Sequence, residues 1–335
     1  MPTEEGKIFV SVIIPVKRVN DYIFESVPKI LALGRDDLEI LIFTDEEDAV
    51  HTWPHTRIIA SGVVGPAEKR DLARTHARGA ILAFLDDDAY PEAGWLEKAL
   101  PYFNDPRVGA VGGPAITPPD DGILAKASGG VFESLLGGGF TRNRYLPIGT
   151  PRLIDDWPTV NLLVRKDVFD KIEGFDTSYW PGEDTKLCLD IVEAGYTIMY
   201  EPEAMVYHHR RGDIVKHLKQ IGNYGIHRGY FVKKYPRTSC KLSYFIPSFF
   251  VLYLLFLLAA IIFLESGPLI AFFAVPLAIY IVGLLLDAIM IGIRRTSIRV
   301  PLIAVGLIGL THVWYGLRFT QGLILKQELK STLRK

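Results

Sequence analysis

The chain has 335 residues, of which 49% are hydrophobic, and its 37 basic and 38 acidic side chains leave a formal net charge of −1. This length predicts about two domains, and two widely separated cysteines, Cys188 and Cys240, argue against a disulfide framework and against a zinc site. The N-terminal residues MPTEEGK are acidic and polar, so we expect no cleavable signal peptide.

Strands and helices alternate over the first hundred residues. We predict strands at 10–16, 39–43, 57–60 and 80–85, separated and followed by helices at 22–33, 66–79 and 91–103. The strand segments are continuous apolar runs, which are typical of strands buried on both faces of a sheet. The alternation predicts a doubly wound α/β sheet.

The pattern weakens from 112 to 158, where glycines and prolines recur. A stretch of that length without periodicity predicts a functional or disordered loop. Regular structure then resumes, with a strand at 160–165, helices at 167–172 and 184–194, and short strands at 198–200 and 204–207.

The C-terminal third is dominated by apolar segments. We predict membrane spans at 242–264 and 268–290, with a third candidate at 298–317. A buried hairpin of core helices is the alternative for the first two. The predicted organisation is therefore a domain at 1–210, a basic segment at 211–241, a transmembrane region at 242–325 and a basic tail at 326–335. The basic, amphipathic stretch 318–335 could lie along the membrane surface.

Basic residues predict the orientation of these spans. They cluster before the first span and between the second and third, at Lys233, Lys234, Arg237, Lys241, Arg294, Arg295 and Arg299. The loop between the first two spans, 265–268, contains none. We therefore expect an integral protein of a prokaryotic plasma membrane with its N-terminal domain in the cytoplasm. A simple third crossing would place the basic tail outside the cytoplasm, against the preference of basic residues for the cytoplasmic side. The third segment therefore re-enters the membrane or lies flat on it, or this preference does not hold here.

Three consecutive carboxylates, Asp86, Asp87 and Asp88, follow the predicted strand at 80–85. Ligands bind beyond the carboxyl ends of strands in open α/β sheets, and adjacent carboxylates repel one another unless a cation screens them. Their oxygens suit Mg²⁺ or Mn²⁺, either of which can hold a diphosphate. An acidic turn before the next helix is the alternative.

The segment around these aspartates, 65–100, resembles the nucleotide-sugar motif of glycosyltransferase family 2, whose members have the GT-A fold. The resemblance extends over about 8–210. It implies that Asp88 coordinates the metal, that Asp86 contacts the ribose and assists the metal, and that Asp87 belongs to the nucleotide-sugar site.

Two earlier segments agree with this resemblance. The first strand is similar to the family's opening strand, whose end, at Pro15, would cradle the nucleotide base. In the turn TDEED, Asp45 matches the base-binding aspartate of the family. Thr44 and Glu46 depart from the family's pattern, so the resemblance does not determine which nucleotide base is bound. Arg70 matches an arginine near the base or diphosphate, and a surface salt bridge is its alternative.

A Glu-Asp pair, Glu183 and Asp184, lies in a second matching segment, 174–209. Inverting transfer requires a general base to deprotonate the acceptor hydroxyl. The resemblance implies that Asp184 is this base and that Glu183 positions the acceptor or tunes Asp184. The sequence alone also allows an acidic pair that stabilises a helix N-terminus.

Three further side chains are candidates. His208 could complete the metal site or bind diphosphate, and Trp157 and Trp180 could stack on a sugar or lipid acceptor. Packing or surface roles are the alternatives for all three.

Residues 208–241 are strongly basic, which suggests attraction to membrane lipids or to a lipid phosphate. A membrane location accounts for these charges, so we expect no nucleic-acid partner. The stretch 220–229 lacks the Gln-x-x-Arg-Trp motif of processive family members, which argues against a polymerising synthase.

The sequence therefore predicts a membrane-anchored, Mn²⁺- or Mg²⁺-dependent glycosyltransferase. Its donor would be a nucleotide sugar, with UDP-sugars expected, and its acceptor a lipid-linked (polyprenyl phosphate) or saccharide molecule in cell-surface polysaccharide biosynthesis. The alternatives are a polyprenyl-monophosphate glycosyltransferase, a membrane-bound nucleotidyltransferase and an inactive nucleotide-sugar-binding scaffold.

Overall fold

The computed structural model describes residues 9–176, 179 and 181–329, which form two compact units. The first unit contains the described residues up to Ile116 together with Asn143–His209. The second contains Thr117–Arg142 and Arg210–Leu329. The predicted N-terminal domain at 1–210 was continuous, whereas the fold groups 117–142 with the C-terminal helices.

The strands of the described residues all belong to the first unit. They are β1 (Val10–Pro15), β2 (Leu38–Thr44), β3 (Thr56–Ala60), β4 (Ile81–Leu85), β5 (Ala89–Pro91), β6 (Val108–Gly112), β7 (Ala115–Ile116), β8 (Arg152–Ile154), β9 (Asn161–Arg165), β10 (Thr197–Tyr200) and β11 (Val206–His208).

The helices are distributed over both units. They are α1 (Asp21–Leu31), α2 (Pro66–Asp71), α3 (Ala73–His76), α4 (Trp95–Ala99), α5 (Ile123–Glu133), α6 (Leu135–Gly138), α7 (Lys166–Lys171), α8 (Glu183–Glu193), α9 (Ile214–Lys234), α10 (Pro236–Ser239), α11 (Leu242–Phe263), α12 (Gly267–Arg295) and α13 (Arg299–Ile324). Short 3₁₀ helices span Leu100–Asn104 and Gly139–Arg144.

The first unit is built on a mixed sheet, which confirms the predicted α/β class. Its strand order is β3-β2-β1-β4-β9-β6-β10-β8. Strands β1 to β4 are mutually parallel, while β9 runs antiparallel to β4 and β6, and β8 antiparallel to β10. A smaller sheet has the order β5-β11-β7.

Both faces of the main sheet are covered. Val12 and Ile14 of β1 pack into one hydrophobic cluster, with Trp95 of α4, whereas Ile13 between them packs into the other, with Phe169 of α7. Successive strand residues point to opposite faces. Burial on both faces is therefore the reason that these strands read as uninterrupted apolar runs.

Two of the predicted helices differ from the fold. The helix predicted at 66–79 ends at His76, because the chain must pass close to β1 at Gly79, where a Cβ would lie 2.5 Å from the backbone nitrogen of Ser11. The helix predicted at 91–103 is also shorter. Residues Ala89–Pro91 form β5 instead, because this segment pairs with β11.

The segment 112–158 is more regular than the sequence predicts, since 123–133 form the helix α5. Gly129 lies inside this helix, where glycine is normally unfavourable. A Cβ at this position would lie 2.1 Å from Oγ1 of Thr117, so close packing requires the glycine. Because glycine weakens the helical pattern, the sequence does not reveal this helix.

The second unit includes three helices, α11, α12 and α13, that are long and apolar enough to cross a membrane. Their most apolar windows have mean hydropathies of 2.7, 2.7 and 1.6, and the buried shares of those windows are only 22%, 0% and 39%. The largely exposed apolar side chains of α11 and α12 fit a lipid environment rather than the alternative of buried core helices, whereas α13 buries one of its sides inside the second unit.

Polar side chains join α5 and α6 to the other helices of the second unit. The fully buried Asp287 of α12 accepts hydrogen bonds from the backbone N–H groups of Leu135 and Leu136, at 2.7 and 2.9 Å. The buried His217 of α9 hydrogen-bonds to Ser128 of α5 and to Thr311 of α13, at 2.8 and 3.0 Å. These contacts hold 123–138 as part of the second unit.

Candidate active site

The three aspartates lie at the carboxyl end of β4, a central strand between β1 and β9. All five residues of β4 are buried. The chain then turns, with Asp86 and Asp87 half-buried and Asp88 only 7% exposed, and re-enters regular structure as β5. The buried strand therefore delivers the carboxylates to the edge of the sheet where ligands bind in α/β folds.

Strand pairing brings His208 to these aspartates. β5 and β11 are antiparallel, with Ala89 opposite His208, and Nε2 of His208 lies 3.0 Å from Oδ1 of Asp88. Ligand atoms of Asp86, Asp88 and His208 all lie within 4.8 Å of one another. The structure thus brings together the residues predicted as metal ligands. Two carboxylates and one imidazole form a set of oxygen and nitrogen ligands that could hold a divalent cation.

Asp87 points away from this group, toward α1. Its Oδ2 accepts a hydrogen bond from Nδ2 of Asn20 at 2.8 Å, and Oδ1 of Asn20 caps the start of α1. Burial, followed by the charges of Asp88 and Asp86, raises the pKa of Asp87 to about 6. The part of this shift that comes from the neighbouring carboxylates reflects the negative charge at the site, which a bound cation would relieve.

Arg70 connects the two acidic motifs. It is 4% exposed, and it donates from Nη2 to Oδ1 of Asp86 at 2.5 Å and from Nη1 to Oε1 of Glu183 at 3.4 Å. Asp86 and Glu183 are far apart in the chain, and one guanidinium holds both. Arg70 therefore forms a buried salt bridge and not the surface salt bridge that was the alternative interpretation of the sequence.

Glu183 and Asp184 begin α8 and differ in accessibility. Gly182 precedes them with φ of 114°, a backbone conformation that favours glycine. Glu183 is 6% exposed, and burial together with the charge of Asp184 raises its pKa above the ordinary value, although Arg70 opposes the shift. Asp184 is half-buried. Of the two carboxylates, Asp184 is the one that a substrate can reach more readily.

A third acidic residue, Asp45, lies beside the end of the first strand. Pro15 ends β1, and Asp45 follows the neighbouring strand β2. The ammonium group of Lys69, which is 3% exposed, donates both to the carboxylate of Asp45 and to the backbone carbonyl of Val16. Lys69 therefore ties together the two strand ends predicted to hold the nucleotide base.

Sequence reasoning does not identify Lys69 or Asn20 as site residues. Their partners lie 24 and 67 residues away in the chain, so no local spacing marks them. The available signal for Lys69 is its position next to Arg70, inside the segment that carries the family resemblance.

The prediction that Trp157 stacks on an acceptor is contradicted by its position. Trp157 is 1% exposed, donates from Nε1 to the carbonyl of Gly113 at 3.0 Å, and packs against Tyr200 with ring centroids 5.0 Å apart. It is a core residue, because its aromatic face and its N–H are both used inside the protein. Trp180, the other predicted acceptor contact, lies outside the described residues.

Comparisons with known proteins agree with these motifs. Residues 11–172 match the model of the family described as glycosyl transferase family 2. A pre-mycofactocin glycosyltransferase of Mycobacterium tuberculosis is 30% identical over 178 residues, which cover 53% of this chain and 37% of that protein. The chain therefore spans little more than a third of the length of that relative.

A second relative and a solved structure align over nearly the whole chain. The Methanococcus voltae protein named dolichyl N-acetyl-alpha-D-glucosaminyl phosphate 3-beta-D-2,3-diacetamido-2,3-dideoxy-beta-D-glucuronosyltransferase is 24% identical, with 94% of this chain and 97% of that protein covered. The mannosyltransferase PcManGT from Pyrobaculum calidifontis, solved with GDP-Man and Mn²⁺, superposes with a TM-score of 0.60 at 18% identity, covering 98% of this chain and 90% of that one. Residues 11–172 of the chain therefore match glycosyltransferase family 2, and the chain has the GT-A fold followed by apolar helices that could span a membrane.

Proposed function

We propose that the protein transfers a sugar, with inversion, from a nucleotide-sugar donor to a lipid-linked or saccharide acceptor in cell-surface polysaccharide biosynthesis. UDP-sugars are the expected donors. The observation that carries this proposal is the bridge from Asp86 through Arg70 to Glu183, because it joins the donor-side and acceptor-side motifs in one site. The names of the relatives support it, since one is a glycosyltransferase and another is named for a dolichyl phosphate-linked sugar acceptor.

The donor is proposed to lie along the carboxyl ends of β1, β2 and β4. Pro15 and Asp45 would hold the base, with Lys69 keeping the two strand ends together. Asp86 and Asp87 would contact the remainder of the nucleotide sugar. Arg70 would orient Asp86 toward it and keep Glu183 in place.

Asp86, Asp88 and His208 are proposed to hold Mn²⁺ or Mg²⁺. When bound, the ion neutralises charge on the leaving diphosphate, an effect worth several kcal/mol in the transition state. The mixed donor set favours Mn²⁺.

Asp184 is proposed to act as the general base. Its carboxylate would accept the proton of the acceptor hydroxyl, whose oxygen then forms a bond to the anomeric carbon. The bond from the anomeric carbon to the diphosphate oxygen breaks on the opposite side, and its electron pair leaves with the nucleoside diphosphate. Attack opposite the leaving group inverts the anomeric configuration.

We further propose that α11, α12 and α13 anchor the protein in a prokaryotic plasma membrane, with the first unit in the cytoplasm. Lys233 and Lys234 precede α11, and Arg294 and Arg295 end α12. Basic residues at these positions support this orientation, because they favour the cytoplasmic side of the membrane.

The test is donor turnover by the full chain in detergent. Release of nucleoside diphosphate would be measured with UDP-, GDP- and dTDP-sugars, with Mn²⁺ or Mg²⁺, and with a membrane lipid extract as acceptor. We expect metal-dependent release from one donor, abolished by Asp88→Ala and reduced by about 10²–10⁴-fold by Asp184→Asn. Asp190→Asn is the matched control, because Asp190 lies on the same helix but pairs with Lys186.

Each other outcome identifies an alternative. Activity that survives Asp184→Asn would indicate a polyprenyl monophosphate acceptor, which is already ionised and needs no base. Release of pyrophosphate would indicate a nucleotidyltransferase. No release from any donor would refute the proposal in favour of a nucleotide-sugar-binding scaffold.

A further inference from the structure

Two arginines of the second unit converge on one backbone oxygen. Nε of Arg142 donates to the carbonyl oxygen of Glu133 at 3.0 Å, and Nη1 of Arg294 donates to the same oxygen at 3.4 Å. Among the described residues, neither guanidinium forms an ion pair with a carboxylate. Two positive charges therefore share one neutral acceptor.

The nearby carboxylates are engaged elsewhere. Glu133 is 1% exposed, and its carboxylate pairs with Arg295 and accepts from Oγ1 of Thr117 at 3.1 Å. The carboxylate of Asp287 accepts two backbone N–H groups at the start of α6. These acids therefore satisfy other donors and leave the shared carbonyl as the contact of the two arginines.

The charges of the pair are close enough to affect each other. Burial and then Arg294 lower the pKa of Arg142, while Asp287 raises it. Arg142 is half-buried and Arg294 is exposed, and the repulsion between two like charges that meet at one carbonyl is relieved when an anion binds between them. The geometry thus provides several guanidinium N–H groups in a position that suits an anionic ligand.

The surroundings indicate which anion would reach the site. Arg294 lies in the last turn of α12, whose 29 residues extend about 43 Å. This length exceeds the hydrocarbon core of a bilayer, about 30 Å thick, so the end of the helix reaches the headgroup layer. Leu135 and Phe140, in the segment that leads to Arg142, are 50% and 91% exposed. An anion-binding site beside exposed apolar side chains suits a ligand with both an anionic and an apolar part.

We propose that Arg142 and Arg294 bind the phosphate group of a membrane lipid, with Leu135 and Phe140 against its hydrocarbon chain. The guanidinium group presents paired N–H donors that match phosphate oxygens. The phosphate could belong to a prenyl phosphate or to a phospholipid headgroup, which share this chemistry. The proposal concerns binding to the second unit and does not depend on the proposed sugar transfer.

The test is equilibrium binding to the full chain in detergent, measured without nucleotide sugar. Farnesyl phosphate, farnesol and inorganic phosphate are the soluble probes, and phosphatidylglycerol in mixed micelles is the competitor. We expect farnesyl phosphate to bind at least about tenfold more tightly than farnesol, which lacks the phosphate, or inorganic phosphate, which lacks the hydrocarbon chain.

Arg142→Gln and Arg294→Gln are each expected to weaken farnesyl phosphate binding by about tenfold. Arg299→Gln is the matched control, because Arg299 is an exposed arginine at the start of α13, and it should leave affinity within about twofold. Arg142→Lys keeps the charge but loses the paired donors, so we expect intermediate binding. Thermal unfolding of each variant identifies any loss that comes from misfolding.

Competition by phosphatidylglycerol would assign the site to phospholipid headgroups, and its failure would assign the site to prenyl phosphates. Both results support a lipid phosphate site. Equal losses in the Arg299→Gln and Arg142→Gln variants would overturn the proposal, because the effect would then be general surface charge. Equal affinities for farnesol and farnesyl phosphate would overturn it as well. In either case the donor turnover described above would be unaffected.

Discussion

Replacing Arg70 by methionine tests the connection between the two acidic motifs. The Arg70 side chain is 4% exposed and lies 2.5 Å from Asp86 and 3.4 Å from Glu183. Methionine fills a similar volume but cannot donate hydrogen bonds. The variant therefore leaves the buried carboxylate of Glu183 and the partly exposed carboxylate of Asp86 without their shared cation.

The magnitude follows from the burial of this pair. Opposite charges 4 Å apart attract by about 4 kcal/mol at an effective dielectric constant near 20, and part of that attraction offsets the desolvation of the arginine. Removing one partner of a buried ion pair costs about 3–5 kcal/mol. Glu183 already has a raised pKa and will take up a proton when Arg70 is lost, so we expect a loss at the lower end of this range.

The assay combines denaturant unfolding in detergent with donor turnover. Arg70→Met should lower the free energy of unfolding by about 3 kcal/mol and also lower turnover, because Asp86 is no longer oriented. Arg107→Met is the matched control, since Arg107 pairs with Asp105 while 82% exposed, and we expect no measurable change. The double variant Arg70→Met/Glu183→Gln should recover much of the stability, because it removes the uncompensated carboxylate.

Two results would refute this reasoning. If Arg70→Met were as stable as the wild type, the ion pairs of Arg70 would contribute nothing to the free energy of unfolding. A double variant that is as unstable as the single variant would mean that the loss comes from packing around Arg70 rather than from the unpaired charge.

Three further predictions concern the second unit and are measured by unfolding in detergent. Asp287→Leu should lower the free energy of unfolding by about 3 kcal/mol, since two backbone N–H groups lose their acceptor. Asp287→Asn should lower it less, and equal stability of the two variants would contradict this role of Asp287. Burial lowers the pKa of His217 from 6.5 to about 4. The neutral ring therefore contributes about 3 kcal/mol to the free energy of unfolding, which is fully present above pH 6.5 and lost as the pH falls toward 4. If the free energy of unfolding of His217→Gln had the same pH dependence as that of the wild type, this prediction would be wrong. Gly129→Ala should cost about 1–3 kcal/mol, because the new methyl group would overlap Thr117, whereas Gly306→Ala, where a Cβ meets nothing within 4 Å, should not destabilise.

Local features of the sequence sufficed for much of the fold and for the motifs of the site. Apolar runs marked the strands β1, β2 and β4, since a strand buried on both faces must be apolar throughout. The apolar helices α11, α12 and α13 were equally evident, because hydropathy is a property of the segment itself. The carboxylates Asp86, Asp88 and Asp184 could be placed at the ends of elements, where polar residues interrupt the periodic pattern.

Elements whose conformation depends on a distant partner were not predictable in this way. Gly129 obscured the helix α5, because glycine has a low helix propensity. This position requires a glycine because Thr117 approaches it closely. The short strand β5 was not predicted, and its last residue, Pro91, was taken as the start of a helix, since three residues form a strand only when a partner such as β11 pairs with them. Trp157 resembled a ligand contact because the sequence does not tell which face of a segment is turned inward.

The sequence by itself therefore determined the class of the fold, the apolar helices and the kinds of residue at the site, since these depend on composition and on periods of two to four residues. Only the tertiary structure decided which of these residues meet. Arg70 joins Asp86 to Glu183, which lies 113 residues after Arg70 in the chain. Lys69 contacts Asp45, and strand pairing sets His208 beside Asp88. Contacts of this kind result from the order and direction of strands in the sheet, which no local pattern encodes.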